Sequence, residues 1–106
     1  MDCIFCKIIS KEIPPNKLEY EDDLCMAFHD INPRSKKHIL IIPKKHIPTM
    51  KDVIADDEIT LGRMMMVASN LAKKHEMNDY RLLISTGKTA GQEVFHVHLH
   101  LMSAPS

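Results

Sequence analysis

Three histidines at strict two-residue spacing constrain this chain more than any other feature. They stand in Gly91-Gln92-Glu93-Val94-Phe95-His96-Val97-His98-Leu99-His100-Leu101-Met102, with apolar residues between them. In a β-strand, alternate side chains share a face. A strand here turns His96, His98 and His100 one way and Phe95, Val97, Leu99 and Leu101 the other. The apolar face packs into a core. The histidine face lines a polar cleft, each ring roughly 7 Å from the next along the strand. One histidine would read as a residue tolerated on a wet face, whereas three in register after Gly-Gln read as a site. Histidine tracts that merely collect metal are consecutive or sit in tails.

The chain has 106 residues, which suits one domain spanning 1–106 and is too short for two. Lys plus Arg equals Asp plus Glu at 14 each, so no basic excess argues for nucleic acid or a membrane surface. No 18-residue apolar run is present, so no spanning helix is expected. Met1-Asp2-Cys3 lacks the basic and apolar regions of a signal peptide, and a cytoplasmic protein is expected. Its three cysteines should then be reduced, so paired cysteines suggest metal or plain core before disulfide.

Asp2 to Ser10 reads as a short helix capped by Asp2, with Ile4, Phe5, Ile8 and Ile9 as its apolar face. Cys3-x-x-Cys6 lies on it, three residues apart and on one side. The pair supplies half of a tetrahedral zinc site or two inert buried thiols. Lys11 to Asn16 is an extended linker around Pro14-Pro15. Lys17 to Glu21 and Leu24 to His29 read as strands joined by a tight turn, with Cys25 in the core. Asp30-Ile31-Asn32-Pro33-Arg34 is a loop. His38 to Pro43 is short, β-branched and closed by proline, which suits a central buried strand. His46 follows it, either lining a site or standing on the surface.

Asp56 to Glu76 reads as the one long helix, with Asp56 or Asp57 as cap and Lys73, Lys74 and His75 at its basic end. Leu61, Met64, Met65, Ala68, Leu71 and Ala72 follow core spacing. Ile59, Met66 and Val67 widen that stripe, as a broad core face or as a surface for a second copy. Tyr80 to Ser85 reads as a strand. Thr86 to Gln92 is a loop whose Gly87 and Gly91 either admit an anion to backbone N–H groups or merely turn a hairpin. The element order argues for an α+β fold: an antiparallel sheet of about five strands, with one long and one short helix on one face.

His96-Val97-His98-Leu99-His100-Leu101-Met102, with Gln92 and Val94 before it, resembles the signature of the histidine-triad (HIT) family of nucleotide hydrolases and transferases. The likeness extends through Ile4-Phe5-Cys6-Lys7-Ile8-Ile9, Glu12-Ile13-Pro14, Ala27-Phe28-His29-Asp30-Ile31-Asn32-Pro33 and Ile42-Pro43-Lys44-Lys45-His46. These blocks are similar to the phosphoramidase-like branch, of the zinc-binding bacterial and archaeal type.

The resemblance implies an enzyme that binds purine nucleotides such as AMP and GMP. It would cleave nucleoside 5′-phosphoramidates through a covalent nucleotidyl intermediate on His98. His100 matches the donor to phosphate or leaving group, and Gln92 the residue that orients phosphoryl oxygens. Asp30 matches the carboxylate that holds ribose hydroxyls. Ile4, Phe5, Ile8, Phe28, His29 and Ile31 match the base pocket, and Gly91, Gln92, Glu93 and Val94 the phosphate loop. Ser85 stands where many relatives carry Asn near the leaving group, and Glu93 where eukaryotic members carry a small hydroxyl residue. Cys3, Cys6, His46 and His96 look like a structural zinc site. The family also implies a homodimer sharing one continuous sheet, with Met66 and its neighbours on the long helix at the interface. Two other readings share the same residues: a non-catalytic nucleotide-binding regulator, and a diadenosine polyphosphate hydrolase.

Overall fold

The central strand decides the architecture. In the computed structural model, which describes residues 3–104, β3 (His38–Pro43) is buried along its whole length. A strand apolar on both faces needs a covering layer on each. Both layers are present. The sheet is antiparallel throughout, in the order β1-β2-β3-β5-β4, with β1 (Leu18–Glu21), β2 (Cys25–His29), β4 (Tyr80–Leu83) and β5 (Leu99–Ser103).

Alternation sorts the core in two. Cys25 and Ala27 of β2, Ile39 and Ile41 of β3, and Leu99 and Leu101 of β5 meet Met64, Val67, Ala68, Leu71 and Ala72 of helix α2 (Glu58–Lys74). Met26, Phe28, Leu40 and Ile42 point the other way, onto Phe5 and Ile8 of helix α1 (Ile4–Ile9). The helices therefore cover opposite faces, where the sequence placed both on one. The reason is the unbroken apolar run of β3, which a single layer would leave half wet. The thiol of Cys25, fully buried, is pushed up to about 12 by that burial and behaves as core.

Local chemistry explains the element ends. Cys3 is the N-cap of α1, its Sγ accepting from the Cys6 N–H at 3.4 Å. The expected cap, Asp2, lies outside the described residues. Asp22 Oδ1 accepts the N–H groups of Leu24 and Cys25 at 2.8 and 2.9 Å, which closes the β1–β2 turn. Asp57 occupies the cap position of α2, but its carboxylate turns back to the Ile54 N–H and to Lys45, so α2 starts without a side-chain cap.

The histidine strand is shorter than its alternation suggests. β5 begins at Leu99, and His96 and His98 lie just ahead of it. In the β3–β5 register, Ile41 faces Leu99, so Pro43 would face Val97. Proline has no N–H to continue a ladder. The Val97 N–H instead donates to the Ile47 carbonyl at 2.7 Å. Phe95, expected in the core, lies beyond this break and is 46% exposed. No helix among the described residues is long and apolar enough to cross a membrane.

Candidate active site and metal centre

The face covered by α1 carries a cleft of about 670 Å³. Ile4, Phe5 and Ile8 of α1 form one wall, Phe28 and Leu40 the sheet floor, and Gly91, Glu93 and Val94 the loop side. His29, Asp30 and Ile31 line its rim, and His98 and His100 reach into it. Two residues expected here are elsewhere. Ser85 does not line the cleft, and neither does Gln92, which is buried against backbone. Gln92 Oε1 accepts from the Gly87 N–H, and its Nε2 donates to the carbonyls of Pro48 and Val94. That amide spans three chain segments and leaves none of its hydrogens for a ligand. His29 lines the rim, but its ring bonds to Glu19, across the sheet from α1.

The rings pack more closely than the strand repeat predicts. His98 and His100 centroids are 4.8 Å apart, and Phe5 stands edge-on to His98 at 5.2 Å. Hydrogen bonds then fix each tautomer. His98 Nδ1–H donates to the His96 carbonyl at 2.8 Å, so the lone pair of His98 sits on Nε2. The Arg34 backbone N–H donates to His38 Nδ1 at 3.1 Å, which makes His38 Nε2 the protonated nitrogen. His38 Nε2–H and Arg34 Nη2–H both meet His100 Nδ1, at 2.9 and 3.2 Å. His100 therefore accepts on Nδ1 and carries its proton on Nε2. Two neighbouring imidazoles thus present opposite chemistry, one a lone pair and the other an N–H. Asp30 holds the far end, its Oδ2 3.5 Å from His38 Nε2 and its Oδ1 accepting from the Asn32 N–H.

Burial keeps these rings neutral. It is the largest cause lowering His98, His38 and His96, and it takes His100 down to about 4 with help from nearby His98, His38 and Arg34. A neutral imidazole is a nucleophile near pH 7 and an imidazolium is not. The sequence reading missed His38 and Arg34. A histidine opening an otherwise apolar buried strand, and an arginine after an Asn-Pro turn, were the available signals.

On the other side of Phe5, four ligand-type residues converge. Cys6 Sγ lies 3.3 Å from His46 Nδ1 and 3.7 Å from His96 Nδ1, and Cys3 Sγ lies 3.4 Å from His96 Nδ1. The two Nδ1 atoms are 3.1 Å apart. Tetrahedral zinc, with bonds of about 2.0–2.1 Å to nitrogen and 2.3 Å to sulfur, requires roughly 3.4 Å between nitrogens and 3.6 Å between nitrogen and sulfur. His96 Nε2–H donates to the Pro43 carbonyl at 2.8 Å, which leaves the Nδ1 lone pair facing the cluster. The donor set and its spacing fit a closed four-ligand metal site. Burial, with Cys3 alongside, pushes the Cys6 thiol up in the metal-free chain. A bound cation would reverse that shift.

A sequence model of the HIT domain family matches residues 10–105. This chain is a member of the HIT domain family. It is 48% identical over 103 residues to a purine nucleoside phosphoramidase of Escherichia coli (strain K12), covering 95% of this chain and 86% of that one. It is 44% identical over 105 residues to the protein HitA of Neisseria gonorrhoeae, covering 98% and 97%. The crystal structure of a HIT family hydrolase from Legionella pneumophila Philadelphia 1 superposes with a TM-score of 0.93 at 42% identity, over 99% of this chain and 95% of that one. The superposition places the five-strand sheet of this chain within the HIT fold.

The depressed His100 has a measurable consequence. The unfolded chain takes up this proton at the ordinary value of 6.5, the folded chain only near 4. Stability should be flat in this contribution above pH 6.5 and fall as pH drops through that window. His100→Gln should weaken the pH dependence of the urea midpoint between pH 4 and 6.5 by about one proton's worth of slope. An unchanged slope would show that His100 titrates normally in the fold.

Proposed function

We propose that this histidine-triad hydrolase binds purine nucleotides and cleaves nucleoside 5′-phosphoramidates, or related nucleotidyl conjugates, to the nucleoside monophosphate. The observation that carries the reading is the pair of opposed tautomers in one cleft, a free Nε2 lone pair on His98 beside an Nε2–H on His100. The relative named for phosphoramidase activity supports the substrate class.

In this reading the purine lies between α1 and the sheet, against Ile4, Phe5, Ile8 and Phe28, and Asp30 takes the ribose hydroxyls. His98 Nε2 attacks the α-phosphorus. The bond from phosphorus to the leaving nitrogen breaks, and that nitrogen departs as an amine with a proton drawn from solvent. The nucleotidyl group stays on His98 as a phosphoramidate. Water then attacks the same phosphorus and returns a proton to solvent, nucleoside monophosphate leaves, and His98 returns to the neutral ring. Splitting one hard step into two is the gain of covalent catalysis. His100 Nε2–H supplies a donor where charge develops on phosphoryl oxygen or leaving group. Arg34 and His38 act through His100 by holding its tautomer. Gln92 acts as a positioning residue, since its amide ties the Gly87–Val94 loop to Pro48.

Single-turnover hydrolysis of adenosine 5′-phosphoramidate tests the mechanism. Wild type should release AMP, and His98→Ala should be slower by at least about 10³-fold while still binding AMP. AMP binding with no turnover in wild type would overturn the catalytic reading.

Cys3, Cys6, His46 and His96 would hold zinc as a structural ion, pinning α1 to the residues ahead of β5. Supporting this are the donor spacing and the lone pair of His96 turned toward the cluster. Purified metal-replete protein should carry about one zinc per chain at this site, and Cys6→Ser should lose it with a lower Tm. A wild type with far less than one zinc would refute the assignment.

A homodimer through an edge strand and α2 completes the reading. β1 is a guarded edge, with an irregular register between Leu18 and Tyr20 and acidic residues at Glu19 and Glu21. β4 ends on Leu83, 41% exposed. Met66 lines a groove with Arg63, Asn70 and β1, so the half-exposed Met65, on the other flank of α2, suits the β4 side. Sedimentation at micromolar concentration should give a dimer, and Leu83→Lys a monomer. A monomeric wild type sinks this interface.

A further inference from the structure

On the α2 face of the sheet, behind the rim of the cleft that His29 also lines, three more donors converge. Glu19 comes from β1, His29 ends β2, and His75 closes α2. Glu19 Oε2 lies 2.7 Å from His29 Nε2, and Glu19 Oε1 lies 3.0 Å from His75 Nε2. One ligand atom from each residue can be chosen so that all lie within 4.8 Å of one another. The imidazole planes stand at 85°, with centroids 5.9 Å apart. These side chains are only 11% and 16% exposed, so the geometry is held by packing.

Direction is more telling than distance. His75 Nε2 is buried and 3.0 Å from a carboxylate oxygen, yet makes no hydrogen bond to any described residue. The separation permits a bond and the angle does not. A ring aimed at Glu19 would line up with that oxygen. The His75 ring is thus turned as a ligand's would be, whereas His29 Nε2–H bonds to Glu19 Oε2 at 2.7 Å and must give up that proton and draw back toward the roughly 3.4 Å that two ligands of one tetrahedral ion keep.

We propose that Glu19, His29 and His75 form a second divalent transition-metal site, separate from the Cys3, Cys6, His46 and His96 set. Two imidazoles and one carboxylate suit Zn²⁺, Co²⁺ or Ni²⁺, and offer too few oxygens for Ca²⁺ or Mg²⁺. Three protein ligands leave a position open, so this site binds more weakly than a closed one. Lys74 competes for Glu19, its Nζ 3.1 Å from Oε1, but its side chain is 63% exposed and free to swing into water. A bound ion joins the C-terminal end of α2 to β1 and β2. His29 directly precedes Asp30, so the ion also fixes the strand end from which Asp30 enters the cleft.

Co²⁺ is the probe, because thiolate coordination gives a charge-transfer band that a purely imidazole and carboxylate site lacks. Full-length protein is equilibrated with Co²⁺ by dialysis, and bound metal and absorbance are read together. Wild type should bind two equivalents. His75→Gln and Glu19→Gln should each bind one and keep the thiolate band, whereas a Cys3→Ser, Cys6→Ser double variant should keep one equivalent without the band. Lys74→Ala, which removes only the competitor, should bind the second equivalent several-fold more tightly. If wild type binds a single equivalent without the band, the second site stands and the cysteine site falls. Wild type saturating at one equivalent with the band, or His75→Gln matching wild type at two, overturns the proposal. Should His75→Gln fail to fold, the wild-type stoichiometry and the Lys74→Ala shift decide.

Discussion

The burial of β3 on both faces is the constraint from which the rest follows. Once Ile39 and Ile41 face one layer and Leu40 and Ile42 the other, two helices of very different length must cover one sheet. α2, with 17 residues, is the main cover of its side, with Ile47, Met50 and Val53 packed beside it. α1, with six, covers only part of the other, and the uncovered remainder is the cleft. A helix of six residues is too short to be stable by itself, so its position rests on packing against the sheet and on the contacts of Cys3 with His96 and Cys6 with His46. The cleft exists because one layer is incomplete.

Electrostatics in the cleft run in one direction. Buried histidines resist protonation, and each neutral ring limits the next through the tautomer it selects. From the Arg34 backbone through His38 to His100, and from the His96 carbonyl to His98, every proton position traces to a main-chain group. Main-chain groups are fixed by the fold, so the arrangement needs no reorganisation when substrate arrives.

Much of this could be read from the residues. Alternation at His96, His98 and His100, the apolar run before Pro43 and the 3–4 spacing around Met64 and Ala68 are local patterns with local causes, and they gave the strands and α2. The rest depends on partners distant in sequence. Where the histidine strand stops is decided by Pro43, 54 positions before Val97, and becomes visible only once the β3–β5 register is known. Gln92 looked like a phosphate ligand because nothing in its neighbourhood reveals that Gly87, Pro48 and Val94 consume its amide. His38 and Arg34 escaped notice because each bonds to His100, more than 60 residues away. The placement of α1 opposite α2 was missed because a six-residue apolar stripe fits either face of a sheet.

His96 serves two structures with different parts of itself. Its ring joins the cysteine cluster, and its carbonyl holds the proton of His98. The backbone part is indifferent to residue type, whereas the side-chain part is not. The tautomer of His98 therefore depends on the path of the chain between Ile47 and Leu99, and not on which side chain stands at position 96.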